Sequence, residues 1–68
     1  MSELNREIGG RIRNYRKAKN LTQDELSEKI CKSKSTISKY EKGEIAVDIE
    51  TLYEIADAIG VHVEQLLS

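Results

Sequence analysis

Lys34, Ser35, Ser38, Lys39 and Lys42 place five ammonium or small hydroxyl side chains within nine residues. If Ser33 caps a helix over Lys34 to Lys42, a turn of roughly 100° per residue gathers all five within an arc of about 140°. No acid and no large apolar group shares that arc. Ammonium and hydroxyl groups can donate to base edges, and an α-helix is slim enough to enter a DNA major groove. A solvated helix face usually mixes both signs of charge. Periodicity by itself fits a DNA-reading face and an ordinary solvated face equally well. Ile37, Tyr40 and Glu41 fall on the opposite side, so the inward face of this helix includes a carboxylate.

Other chemistry finds less material. The chain has one histidine, His62, and one cysteine, Cys31, so neither an internal disulfide nor a cysteine-built zinc site can form. It has no glycine-rich phosphate loop, and its hydroxyls have no base partner evident from spacing. No enzymatic activity, metal or cofactor is expected. Lone Cys31 fits a structural place in a turn better than a thiol sensor. His62 fits a helix cap or surface residue better than a metal ligand. Tyr40 fits the core better than a base-stacking platform.

The elements that must hold these residues follow from length and spacing. Sixty-eight residues make one domain, spanning 1–68 and close to the lower limit for folding without a staple. With no proline, few β-branched runs and no alternating segment, the class is all-α. No apolar run reaches signal or membrane length, which points to the cytoplasm. Net charge is −1, which argues weakly against nucleic acid, but the average hides a split. Residues 1–42 hold all eleven Lys and Arg and six acids, a balance of +5, and residues 43–68 hold six acids and no base, −6. Such a dipole can turn a basic face to phosphate, although a short chain can also split by chance.

Leu4, Ile8, Ile12 and Tyr15 recur at helical spacing and predict a first helix over about 4–19. Gly9 and Gly10 weaken it by roughly a kcal/mol each relative to alanine, and could admit a neighbouring helix at close range. Arg16 shares the face of Ile12, and an inward charge needs a partner. Arg11, Arg13, Lys17 and Lys19 are expected in solvent or near phosphate. Asn20 ends the helix in a left-handed conformation. Thr22 and Glu25 form a capping box and Leu21 and Leu26 a hydrophobic staple, so a second helix begins at Gln23, with Leu26 and Ile30 inward. Cys31 and Lys32 turn the chain into the third helix, which Gly43 closes. Asp48 caps a fourth helix with Ile49, Leu52, Ile55, Ala56 and Ile59 on its apolar face, and Gly60 ends it. A short fifth helix spans about Val63 to Leu67. Glu50, Glu54 and Asp57 form an acidic face, either plainly solvated or directed at a protein or away from DNA.

This order of capped helices resembles the Xre/Cro/CI-type helix-turn-helix family, the phage-repressor-like DNA-binding domain. The resemblance runs from Ile8 to Leu67. It is carried by Ile12-Arg13…Arg16, Leu21-Thr22-Gln23-x-x-Leu26, the block Ser33 to Gly43, Leu52, Ala56 and Val61…Leu66-Leu67. It implies a compact five-helix fold with the helix-turn-helix in helices 2 and 3, and the third helix in the major groove of double-stranded DNA. It further implies base contacts from Lys34, Ser35, Lys39 and also Ser38, and phosphate contacts from Gln23, Thr36 and Lys42. Arg16 and Glu41 would form a structural ion pair, and a homodimer would meet a pseudo-palindromic operator, with Val63 and Leu67, apolar residues expected exposed near the C-terminal end, the candidates for its interface. Three positions depart from the family pattern: Ser27 for alanine at the crossing of the motif helices, Cys31 for a turn glycine, and Lys32 for an apolar residue. None lies on the reading arc. The expectation is a sequence-specific transcriptional regulator, with repression the favoured sign. The rival is an interaction domain on the same five helices, such as an antitoxin-like partner, which would have no reason to exclude acids from the arc.

Overall fold

A computed structural model describes residues 2–68. Five helices follow in order, α1 (Glu3–Ala18), α2 (Gln23–Lys29), α3 (Lys34–Lys42), α4 (Ile49–Ile59) and α5 (Val63–Leu67). The described residues contain no strand. Among the described residues no helix is long and apolar enough to cross a membrane.

The punctuation of this fold is local chemistry repeated. Ser2, Thr22, Ser33 and Asp48 each sit in extended backbone and accept a hydrogen bond from the backbone N–H three residues on. The capping box at α2 closes in both directions: the Glu25 N–H donates to Thr22 Oγ1 (3.0 Å) and the Thr22 N–H to Glu25 Oε1 (2.8 Å). At α5 the His62 N–H donates to Gln65 Oε1 (2.9 Å). The first four helices also end alike. A left-handed residue, Asn20, Cys31, Gly43 or Gly60, follows each one. Its own N–H and the next one then bond back to the last turn. Asn20 (φ 59°) and Cys31 (φ 58°) do this without glycine's freedom. A left-handed conformation costs an L-residue on the order of 1–2 kcal/mol, less for asparagine.

Inside, Ile12, Leu26, Ile30, Ile37, Tyr40, Leu52, Ile55, Ala56, Ile59 and Leu66 form one buried cluster. Three apolar residues depart from expectation, the first being Leu4, on the periodic face of α1 but 57% exposed. Ile49, placed on the inner face of α4 by periodicity, is 63% exposed. As the first residue after the Asp48 cap it lies at the outer end of α4, past the edge of the core. Val63, expected on the surface as half of a dimer patch, is half-buried against the core, while Leu67 is 45% exposed. Arg11, expected in solvent or near phosphate, is half-buried and donates to the Leu66 carbonyl at 3.5 Å, tying α1 to α5.

A glycine sets the approach of α3 to α1. A Cβ built on Gly9 would lie 2.2 Å from the Tyr40 carbonyl oxygen and 2.8 Å from that of Glu41. The backbone of α3 therefore lies directly on α1. A methyl added to neighbouring Gly10 would meet nothing within 4 Å, so that glycine simply costs helix propensity.

Two outcomes follow for stability. Gly9→Ala should destabilise by about 3 kcal/mol, because backbone rather than a mobile side chain must yield, whereas Gly10→Ala should stabilise by roughly 0.5–1 kcal/mol. Urea melts of the two variants check this; equal effects would remove Gly9's special place. At the start of α4, the hydrogen bond from Thr51 holds the exposed Asp48 carboxyl below its ordinary value of 3.8. A depressed carboxylate stabilises fully above its unfolded value and ceases to do so as pH falls through the folded one. Asp48→Asn keeps a capping oxygen without titrating. Its melting temperature should thus fall less steeply than that of the unaltered protein between about pH 5 and pH 2, and parallel curves would refute the assignment.

Candidate nucleic-acid interface

The third helix is fixed from beneath by a buried charge. Arg16 rises from α1 and Glu41 descends from α3, and both are buried. Arg16 Nε donates to Glu41 Oε2 at 2.6 Å and its NH2 group to Oε1 at 3.1 Å, a two-pronged contact whose planar donors match a carboxylate. The remaining arginine nitrogen donates to the Leu21 carbonyl at 2.7 Å, at the entrance to α2. Gln23, first residue of α2, donates its amide N–H to Glu41 Oε1 at 3.0 Å. One carboxylate thus joins the ends of three helices. Among the described residues no buried side-chain N or O atom lacks a partner. The expected partnership of Arg16 and Glu41 is present; the bond from Gln23 was not foreseen. Eighteen residues separate Gln23 from Glu41, and no spacing rule connects them.

With its inward face committed, α3 presents the arc. Lys34, Ser35, Lys39 and Lys42 are exposed, and Ser38 and Thr36 are half-buried. Among the described residues none of these lysines has an acid within ion-pair distance. Two clefts border the arc. Lys34 borders a cleft shared with Lys17, Asn20, Thr22 and Gln23. Ser38 and Lys42 border another shared with Arg13, Arg16, Gln23 and Glu41. Ser35 and Lys39 are exposed and line neither cleft. The Thr36 hydroxyl is 2.9 Å from Ser33 Oγ, within the cap of the helix. Gln23's amide nitrogen carries a second hydrogen beyond the one given to Glu41. The structure therefore brings the expected base-contact and phosphate-contact residues to one side of the molecule, with Thr36 at its margin.

A further cleft, about 470 Å³, lies elsewhere, between the α2–α3 turn and α4. Glu54 and Asp57 stand on its lip beside Cys31 and Lys29. With Lys29, Glu54 and Asp57 around it the cleft has a formal charge of −1, which disfavours phosphate. Among the described residues no three of His, Cys, Asp and Glu gather as metal ligands.

Comparison with known proteins agrees with this geometry. A family model described as "Helix-turn-helix" (HTH_3) matches residues 12–66. The cryptic phage CTXphi transcriptional repressor RstR of Vibrio cholerae is 39% identical over 59 residues, covering 87% of this chain and 53% of that protein. The chain thus spans about half the length of that relative. Among solved structures, the clp gene regulator ClgR of C. glutamicum superposes with a TM-score of 0.93 at 30% identity, over 98% of this chain and 87% of that one. The P22 c2 repressor protein, in complex with a synthetic operator, superposes with a TM-score of 0.82 at 30% identity, over 90% and 92% of the two chains.

Breaking one side of the buried pair strands the other charge. Arg16→Ala and Glu41→Ala should each destabilise by on the order of 3–5 kcal/mol. In the double variant the two losses should fall well short of adding, as expected for partners in one network. Thermal melts of the four proteins measure the coupling, and simple additivity would exclude it.

Proposed function

The chain belongs to the helix-turn-helix family HTH_3, and we propose that it is a sequence-specific DNA-binding module of a transcriptional regulator, acting as a repressor. The observation that carries this reading is the acid-free, exposed arc of α3 on a helix whose opposite face is locked to α1 and α2 by Arg16, Glu41 and Gln23. A reading helix must be both accessible and rigid, since a base contact discriminates only if its donors cannot follow the wrong base.

In this reading α3 lies in the major groove. Lys34 and Lys39 donate to acceptors such as guanine O6 and N7, and Ser35 pairs with more than one base. Gln23, Thr36 and Lys42 reach phosphates on the groove rim and fix register. The relative named as a transcriptional repressor and the repressor–operator complex among the structural neighbours support it. A single module makes few contacts, so two copies would bind two-fold related half-sites about one helical turn apart. Exposed Leu67, with Val63 only at its edge, is the apolar group available near the C-terminal end for that contact. Occupying an operator would block transcription without chemistry, so the proposal needs no catalytic group or cofactor. An α3 arc of this kind gives an interaction-only domain no advantage.

Salt-titrated binding to a selected duplex and to a scrambled one separates the roles. Lys34→Ala and Lys39→Ala should each cost about 1–3 kcal/mol on the selected site and relax preference at particular base pairs. Lys42→Ala should weaken both duplexes about equally and lower the salt slope by about one. Gln23→Ala should weaken both with little change in slope, being neutral. Glu54→Gln, on the acidic face, should leave specificity alone. Were Lys34 and Lys39 to lower both affinities equally, α3 would not be reading bases.

A further inference from the structure

Building on the DNA-binding reading, we propose that the cleft between α1 and the C-terminal half of α3 seats one backbone phosphate, held by Arg13, Gln23, Ser38 and Lys42. Arg13 thereby joins the interface from the supporting helix, and Ser38 serves the backbone rather than a base.

The cleft is about 240 Å³ and is lined by Arg13, Arg16, Gln23, Ser38, Glu41 and Lys42. Its floor is the Arg16–Glu41 pair, in which the carboxylate is already cancelled by the guanidinium 2.6 Å away. Its rim carries Arg13 and Lys42, both exposed and, among the described residues, without an acid in ion-pair distance. With three cations and one carboxylate around it, the cleft has a formal charge of +2. An anion entering it meets charge that no protein group has used. The neutral donors suit the same guest. Gln23 gives one amide hydrogen to Glu41 and keeps the other, and Ser38 adds a hydroxyl. A planar guanidinium on the rim matches two phosphate oxygens at once.

Position decides between phosphate and base. A group reached simultaneously from α1 and from the flank of α3 cannot lie deep in the groove that α3 alone would enter. It must lie on the rim, where the phosphates run. Spacing puts Ser38 on the arc with Lys34, Ser35 and Lys39, but the fold leaves it half-buried and facing Arg13's cleft. Base reading then falls to Lys34, Ser35 and Lys39.

The test uses duplexes carrying the selected site with one neutral methylphosphonate linkage at a time. The unaltered chain should lose roughly tenfold in affinity at one linkage per half-site beyond the general effect of lost charge. Arg13→Ala should bind the all-phosphate duplex roughly tenfold more weakly at low salt, with a slope reduced by about one. It should lose nothing further when the neutral linkage occupies that one position. Arg13→Lys should restore the slope, and Ser38→Ala should weaken binding without altering the bases preferred in site selection. Losses from Arg13→Ala and from the neutral linkage that multiply at every position would overturn the seat, as would a change of base preference in Ser38→Ala, both leaving DNA binding intact. Equal affinity of the unaltered chain for selected and scrambled duplexes would overturn the sequence-reading function itself, and with it this proposal.

Discussion

Arg16 and Glu41 impose the constraint from which the geometry of the DNA-facing side follows. Taking two charges out of water costs several kcal/mol per ion, and their attraction offsets this only when geometry is good and the leftover donors are met. Here they are met: Glu41 takes bonds from Arg16 and Gln23, and Arg16 also gives one to the Leu21 carbonyl. Contacts from α1 and α2 that converge on one α3 carboxylate constrain the helix's rotation about its own axis as well as its depth. Apolar packing through Ile37 and Tyr40 supplies affinity between the helices but tolerates small slides. Gly9 completes the restriction, since α3 can settle onto α1 only where no Cβ intervenes. A ten-residue apolar cluster is a modest core, and directional contacts make up in uniqueness what it lacks in size.

Charge is distributed to match that arrangement. The net value of −1 misleads because +5 and −6 occupy successive parts of the chain. In the folded molecule the exposed charges of α3 and α4 differ in sign. Lys34, Lys39 and Lys42 are exposed on α3 and Arg13 on α1, whereas Glu50, Glu54 and Asp57 lie exposed along α4. An approaching duplex would experience a torque before contact, because its phosphates attract one side and repel the other. Such steering falls with salt over a Debye length of about 8–10 Å at physiological ionic strength, so it would act on association more than on the final complex.

Most of the architecture was legible because it is written in short-range chemistry. Caps and left-handed stops lie within a few residues of the helices they delimit, and Thr22, Ser33, Asp48, Asn20, Gly43 and Gly60 are read without knowing the fold. What escaped depends on distance in sequence or on the finite size of the molecule. Gly9 and Gly10 are indistinguishable to a propensity scale, yet one lies beneath α3 and the other faces open space. Ile49 obeys the apolar period of α4 but projects past the edge of the core. Val63 is partly covered because α5 folds back against α1 and α4. For the candidate site, the composition of the arc was legible from helical rotation alone. The pairing of Arg16 with Glu41 came from family resemblance, since inwardness says that a charge needs a partner without saying which. The bond from Gln23 to Glu41 had no sequence signal at all.

That bond links stability to recognition. Gln23 would hold phosphate with one amide hydrogen while the other remains on Glu41, so its orientation toward DNA is set in the free protein. Preorganisation lowers the entropy lost on binding, by about 0.5–1.5 kcal/mol for each long side chain already held. The base readers of the proposed interface would be of the opposite kind. Lys34 and Lys39 are flexible, strongly hydrated point charges, and a lone lysine discriminates less sharply than a two-pronged arginine. A module that reads bases with two lysines and a serine must therefore draw its accuracy from where the helix is held rather than from the stiffness of the reading side chains. The buried network and the glycine contact both serve that one requirement.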